Sequence, residues 1–378
     1  SSMTAKMKTP VSPAKLSGLS LSTLLVAAIW LTGCGRSAEP SFWEADGSWR
    51  AVEAVSASEA WFASSNGEWL RVTLDEGSTR RTAFGGPVPD PTDSSVGTHF
   101  RGLALIDGAL VGTAVGSPAM IRRGELDAEG AVTGRRATVW QESDSSAFLD
   151  AVIALDDTTL VVMGDPIDGC LCVVRSEDGG QSWAKVPCAV KDSPGVPASR
   201  EGEAAFAASN GNLSFAGDTV WMLSGGGASR VYRSLDRGHA WTVFDTPLQQ
   251  GGQMTGGFSL DFADARHGIV WGGNWEAKED NTARAAVTSD GGETWTLLAD
   301  GAGPGYGSSV RYRPASSGQQ LALVSTPGGL DVSDDGGTTW RHVSDSSFYA
   351  ARFSPDGSVL WVCGNGQLGR YPAATLGW

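Results

Sequence analysis

An eight-residue phrase occurs four times in this chain. The copies are SEDGGQSW (Ser176 to Trp183), SLDRGHAW (Ser234 to Trp241), TSDGGETW (Thr288 to Trp295) and SDDGGTTW (Ser333 to Trp340). They recur every 45 to 58 residues, with Asp, Gly and Trp at fixed offsets. That period marks a repeat architecture rather than a single catalytic motif. Each copy reads as a tight β-hairpin. Asp178, Asp236, Asp290 and Asp335 are placed to accept hydrogen bonds from amides of their own turns. Gly180, Gly238, Gly292 and Gly337 supply the positive φ such turns require. Trp183, Trp241, Trp295 and Trp340 then open the next strand. Burying one indole there removes roughly 200 Å² from water, a stabilisation of a few kcal/mol per copy.

A second phrase recurs more often: an apolar strand, a Gly- or Ser-rich turn and another strand. It appears as AWFASSNGEWLRV from Ala60, LVGTAVGSPAMIRR from Leu110, LVVMGDPIDGCLCVVRS from Leu160 and VWMLSGGGASRVYRS from Val220. It continues as IVWGGNW with ARAAVTS from Ile269, LALVSTPGGLDVS from Leu321 and LWVCGNGQLGRY from Leu360. Shorter strand-like segments precede these copies, among them FRGLALI, FLDAVIAL, GEAAFAAS, GGFSLDF and FYAARF. The unit therefore has four antiparallel strands, and the expected fold is an all-β, seven-bladed β-propeller. The last copy lacks a fourth strand, which PSFWEAD (Pro40 to Asp46) is placed to supply, closing the ring without an exposed edge. Two polar, Pro-rich connections stand outside the unit, Phe84 to Thr98 and Ala189 to Gly202. They are either chance insertions or a wall over a central channel.

The domain reading is a targeting segment over 1–33, a tether over 34–40 and one large propeller over 41–378. Lys6, Lys8 and Lys15 form a basic start, followed by the apolar run Leu16 to Trp30. The run ends in Leu31-Thr32-Gly33-Cys34, which resembles a bacterial lipobox. That resemblance implies cleavage before Cys34 and a lipid on its sulfur; a plain cleaved signal peptide is the alternative. Gly35 after the cysteine points to outer-membrane anchoring facing the periplasm. Removal of three lysines and no acid takes the net charge from −14 to −17. So acidic a domain disfavours nucleic acid and anionic membrane surfaces, leaving the lipid as the only membrane contact. Symmetric pairing of the SEDGGQSW flanks puts Cys170 close to Cys188, and an oxidising compartment permits a bridge; free buried thiols are the alternative. His99, His239, His267 and His342 lack metal-ligand spacing, so no metal is expected.

The eight-residue phrase resembles the Asp-box, or BNR repeat, of sialidases and related propellers, where it stands on the outer rim and folds blades. FRGL at Phe100, FLDA at Phe148, GDPIDG at Gly164, GEAAFAAS at Gly202, DARHG at Asp264 and DVSDDGG at Asp331 extend the likeness. Together they resemble a bacterial propeller family related to the photosystem II stability/assembly factors. Its bacterial members often carry the label oxidoreductase. The resemblance implies seven blades and a non-catalytic assembly role in protein binding, with a protein or cell-envelope component as partner. The chain departs from the family at Gly307, at Tyr349 and at Gly272-Gly273-Asn274-Trp275.

Candidate chemistry gathers where the innermost strands of such a ring begin. These strands carry Arg101, Asp150, Glu203, Ser259, Ser308 and Tyr349, with Asp165, Asp168, Asn274, Trp275 and Tyr306 in loops beside them. An arginine facing carboxylates orients a polar ligand; the plainer reading is mutual satisfaction around a narrow channel. The enzymatic alternative is a glycoside hydrolase. Tyr306 or Tyr312 with Glu203 would serve a sialidase, and a pair from Asp150, Asp165 and Glu203 would serve a two-carboxylate glycosidase. Redox chemistry has no support: there is no dinucleotide-binding unit and no CxxC, so no cofactor is expected. The expected oligomeric state is a monomer.

Overall fold

The computed structural model describes residues 39–378 apart from 76–77, 85–97, 117, 302 and 326–327. The expected targeting segment, Cys34 and most of the first Pro-rich connection lie outside the described residues.

Each of the seven strand–turn–strand phrases forms an adjacent antiparallel pair. Around these pairs the chain builds successive meanders bonded in sequence order, except that Glu203–Ala204 and Gly225–Gly226 join the edge of the sheet that begins at Thr255–Phe262. One meander runs Phe100–Ile106, Ala109–Ala114, Ala119–Leu126, Val132–Glu142, and the next runs Leu149–Ala154, Leu160–Ile167, Cys170–Ser176, Ala184–Lys185. The inner strands are apolar on both faces because both are covered, and Cys170–Ser176 is buried along its whole length. Several outermost strands are short and largely exposed, as in Thr242–Asp245, which limits the edge open to foreign pairing.

Strand Ser41–Ser56 belongs to two meanders at once. Its first part pairs Ser41 with Arg370 through Glu44 with Gln367, as the fourth strand beside Asn365–Pro372. Its second part pairs with Glu59–Ser64. Gly47, at φ 105°, marks the break between them.

Apolar cores fill the seams between consecutive meanders. Val161 and Met163 pack with Val220 and Met222, and Ile269 and Trp271 with Val310 and Leu321. Ala350 and Trp361 pack with Phe62 and Val72, joining the last meander to the first.

The four repeated phrases close seams from outside. At each one a Ser or Thr hydroxyl donates to the turn aspartate and accepts from the glycine amide: Ser176 with Asp178 and Gly180, both at 2.8 Å, and Thr288 with Asp290 and Gly292. The aspartate then takes two further turn amides, as Asp178 does from Gln181 and Ser182. The tryptophan indole donates back to the glycine carbonyl at 2.8–3.1 Å in all four. The rings lie over the seam with the preceding meander, Trp241 at 7% exposure. Arginines of that meander grip the turn: Arg123 Nε donates to Gly179 O at 2.8 Å and Arg175 Nε to Arg237 O at 2.9 Å. The aspartates are therefore spent on turn amides and hydroxyls.

One expected strand is mostly missing. GEAAFAAS yields only Glu203–Ala204, after which residues 205–212 run without strand structure to Leu213–Ala216. Small side chains in this stretch let it leave its own meander for the middle of the structure. Asn210, at φ 60°, accepts from Val152 N and donates to Leu103 O. Ser209 donates to Ser308 O, Leu260 N donates to Gly211 O, and Arg101 donates to Ala207 O. Residues of four other meanders thus meet on this one segment.

Candidate functional site

The antiparallel register fixes which loops share an end. Leu149 pairs with Gly164, so the start of Leu149–Ala154 lies beside the turn that follows Leu160–Ile167. Asp150 and Asp165 are accordingly neighbours. By the same logic Arg50, Arg101, Ser308 and Tyr349 stand where their inner strands begin.

These residues form one cluster. The Arg50 guanidinium lies 3.7 Å above the Tyr349 ring, held by a 2.9 Å bond from Nε to Ser48. Arg101 donates from Nη1 to Ala207 O, while its buried Nε has no hydrogen-bond partner. Asp150 is fully buried and neither carboxylate oxygen has a hydrogen-bond partner. Burial first, then the charge of Asp165, pushes the Asp150 carboxyl well above the ordinary range, against the pull of Arg101. Burial likewise pushes Asp165 up to about 6, although Ala205 N donates to it at 2.8 Å. Burial and the neighbouring Arg50 lower Arg101 to about 10. His99 is held below its usual range by burial, then by Arg101 and Arg50.

Tyr306 closes the other side, 6% exposed and edge-on to Phe258, with centroids 4.7 Å apart. Asn274 and Trp275 follow directly on Gly273, where a Cβ would come within 3.1 Å of the Tyr306 Cα. Trp275 is half exposed, with the Lys278 ammonium over its ring, and Asn274 caps its own turn through Glu276 N.

Two sequence candidates stand elsewhere. Asp168 is at a hairpin tip, exposed and paired with Lys185 at 3.1 Å. Its place in the chain put it near the cluster, but the left-handed turn at φ 59° carries it outward. Glu203 is buried in an ion pair with Arg230 and accepts from Ser224 and Tyr232. Such a carboxylate has no free face for a substrate, so neither glycosidase scheme using Glu203 fits this geometry. Tyr312, the other candidate nucleophile, lines pockets at the opposite ends of the inner strands.

Arg50 and His99 were missed. Arg50 follows the break at Gly47 and Ser48 inside a strand shared by two meanders, and His99 sits one residue outside FRGL. Position at an inner-strand start was the available signal for both. Cys170 and Cys188 are joined as a disulfide with Cα atoms 5.6 Å apart. The connection after Cys188 folds back through Val196 onto it and through Ala198 onto Cys170. Cys172 and Cys363 are buried thiols. Among the described residues no group of three or more His, Cys, Asp or Glu converges as a metal site.

No family model and no curated protein matches this chain. Solved structures do. A structure of YCF48 bound to D1 peptide aligns at TM-score 0.57 and 17% identity, over 88% of this chain and 96% of that one. YCF48 from Cyanidioschyzon merolae aligns at 0.57 and 12%, over 88% and 99%. The WD40 β-propeller domain of Doa1 aligns at 0.56 and 12%, over 87% and 95%. The fold is a β-propeller. Identities this low carry the architecture and no residue roles.

Proposed function

We propose that the chain is a lipid-anchored, seven-bladed propeller of the Asp-box kind that binds a protein segment at the Arg50–Arg101 mouth without catalysing a reaction. One observation carries the reading: Arg101 Nε and both Asp150 oxygens lack hydrogen-bond partners within a cluster that also holds Arg50, Asp165, Tyr306 and Tyr349. Unmade hydrogen bonds of buried charged groups are costly, and a site built to receive donors and acceptors keeps them. Among the described residues six sheets, the seven-stranded one shared by two meanders through Ser41–Ser56, and the apolar cores between them support a count of seven. The lipobox-like Leu31 to Cys34 supports an envelope location, with the outer membrane facing the periplasm as the proposed address. The likeness to assembly-factor propellers in the sequence, and a structural neighbour solved with a peptide, support a protein partner.

Affinity capture of the mature protein from its native envelope tests this, run beside Arg101→Ala and Arg50→Ala. The expected result is a partner retained by the parent and lost from both folded variants. A partner held equally by all three would remove the mouth from the binding face.

A further inference from the structure

The opposite ends of the inner strands make a second mouth, three residues further along each strand and about 10 Å away. It opens into a cavity of about 490 Å³. Three arginines line it: Arg311, Arg313 and Arg352. Phe262, Tyr312 and Phe353 supply apolar wall.

The three guanidiniums are unequally paired. Arg352 meets Glu53 at 2.5 Å. Arg311, 4% exposed, reaches only backbone carbonyls of Ala351, Leu260 and Asn210, at 3.3–3.4 Å. Its nearest carboxylate, Asp261, is 3.9 Å away, and Asp261 already accepts from Ser214 Oγ and Tyr312 N. Arg313 donates to Gly357 O and to the Gln320 side chain, both neutral. The remaining acid of the lining, Asp264, is engaged by His267 and by two amides of its own turn. Burial, and then repulsion from Arg352, lowers Arg311 to about 10, so these two cations lie close enough to oppose one another. The loop beside them, between Arg313 and Gln320, holds Ala315 and Ser317 at φ 61° and 54°. Left-handed backbone at two non-glycine residues is strain of the kind kept where a loop must hold one shape.

We propose that this second mouth is a binding site for a small oxyanion, a carboxylate or phosphate group seated between Arg311, Arg313 and Arg352. A planar or tetrahedral anion offers the charged acceptors that Arg311 and Arg313 lack. The apolar wall accommodates a short organic body on the anion. This site is separate from the Arg50–Arg101 mouth and does not depend on its role.

Calorimetric titration of the full chain with inorganic phosphate, and separately with citrate, tests the assignment. Saturable binding at millimolar concentration or tighter is expected for at least one, and the preferred ligand separates a phosphate from a carboxylate source. Arg313→Gln weakens that binding by about tenfold, the loss of one charged contact. Asp261→Asn tightens it by a similar factor, an opposite change that a folding defect does not produce. No saturable binding of either anion, or binding indifferent to Arg313→Gln and Asp261→Asn, would overturn the proposal.

Discussion

Glu203 and Arg230 meet through two contacts, Nη2 to Oε2 at 2.5 Å and Nε to Oε1 at 3.0 Å, with both side chains almost wholly buried. Ser224 and Tyr232 hydroxyls complete Oε1, and Arg200 N completes Oε2. Removing one partner of such a pair strands the other charge. Glu203→Gln is therefore expected to lower the unfolding free energy by about 3–5 kcal/mol. Urea denaturation checks this. A loss below about 1 kcal/mol, the range of an exposed pair, would show that Arg230 finds other acceptors and that the network is not a fastening.

The rim hairpins make a second prediction, with a pH signature. The Ser182 hydroxyl and amide, joined by Ser176 and Gln181, hold the Asp178 carboxyl down to about 2. Asp290 is held low in the same way, by Thr294 first. A depressed folded pKa means stability present above the unfolded value of 3.8 and lost as pH falls through the folded one. Asp178→Ala and Asp290→Ala should each destabilise at pH 7, and the gap to the parent should narrow between pH 4 and 2. Thermal melts across that range are the measurement. A gap unchanged at pH 2 would mean the turn, rather than the carboxylate, supplies the stability.

The rim was legible because its chemistry is local: an aspartate, a glycine and a tryptophan within eight residues determine their own hairpin. Strand pairing was legible for a related reason, since Gly- and Ser-rich turns between apolar runs leave few registers. The middle was not. GEAAFAAS has strand character, yet what places residues 205–212 is a set of partners from four distant meanders, Val152, Leu103, Ser308 and Leu260 among them. Glu203 was misread for the same reason, because Arg230 lies 27 residues away and nothing near Glu203 announces it. Arg101, Asp150 and Tyr349 stand together because inner-strand starts converge in a ring of meanders. Asp168 shows the limit of that rule, since one left-handed turn residue redirects a loop.

The Cys170–Cys188 link closes a short loop around the first rim hairpin, with a sequence separation of 18. Loop-closure entropy at that length gives about 3 kcal/mol. Cys188→Ala, or reduction, is expected to lower stability by about 2–4 kcal/mol. The loss should leave the Thr288 and Ser333 hairpins protected in hydrogen exchange, because neither is bonded to the Cys170 strand, whereas Arg175 of that strand holds the Arg237 carbonyl of the second hairpin. The connection over 189–198 should exchange fastest, since its bridges at Val196 and Ala198 rest on the two cysteines. Uniform loss of protection would show that the link serves the whole ring.

Asp165 gives the sharpest test of the first mouth. Its folded value of about 6 lies above the ordinary 3.8, chiefly through burial. The native state then holds the proton more tightly than the unfolded chain. Stability therefore falls as pH rises from about 4 through 6 and stays reduced above that. Asparagine keeps an oxygen for the Ala205 amide and carries no charge to desolvate. Asp165→Asn should be more stable than the parent at pH 8 by about 1–2 kcal/mol, and indistinguishable from it at pH 4. Urea unfolding at both pH values measures the difference. The same variant should weaken capture of the proposed partner, because a carboxylate beside Asp150 in that cluster is part of what the partner meets. Higher stability with lost binding is the pattern of a group kept for a ligand. Lower stability at both pH values would instead make Asp165 a structural acceptor for residues 205–212.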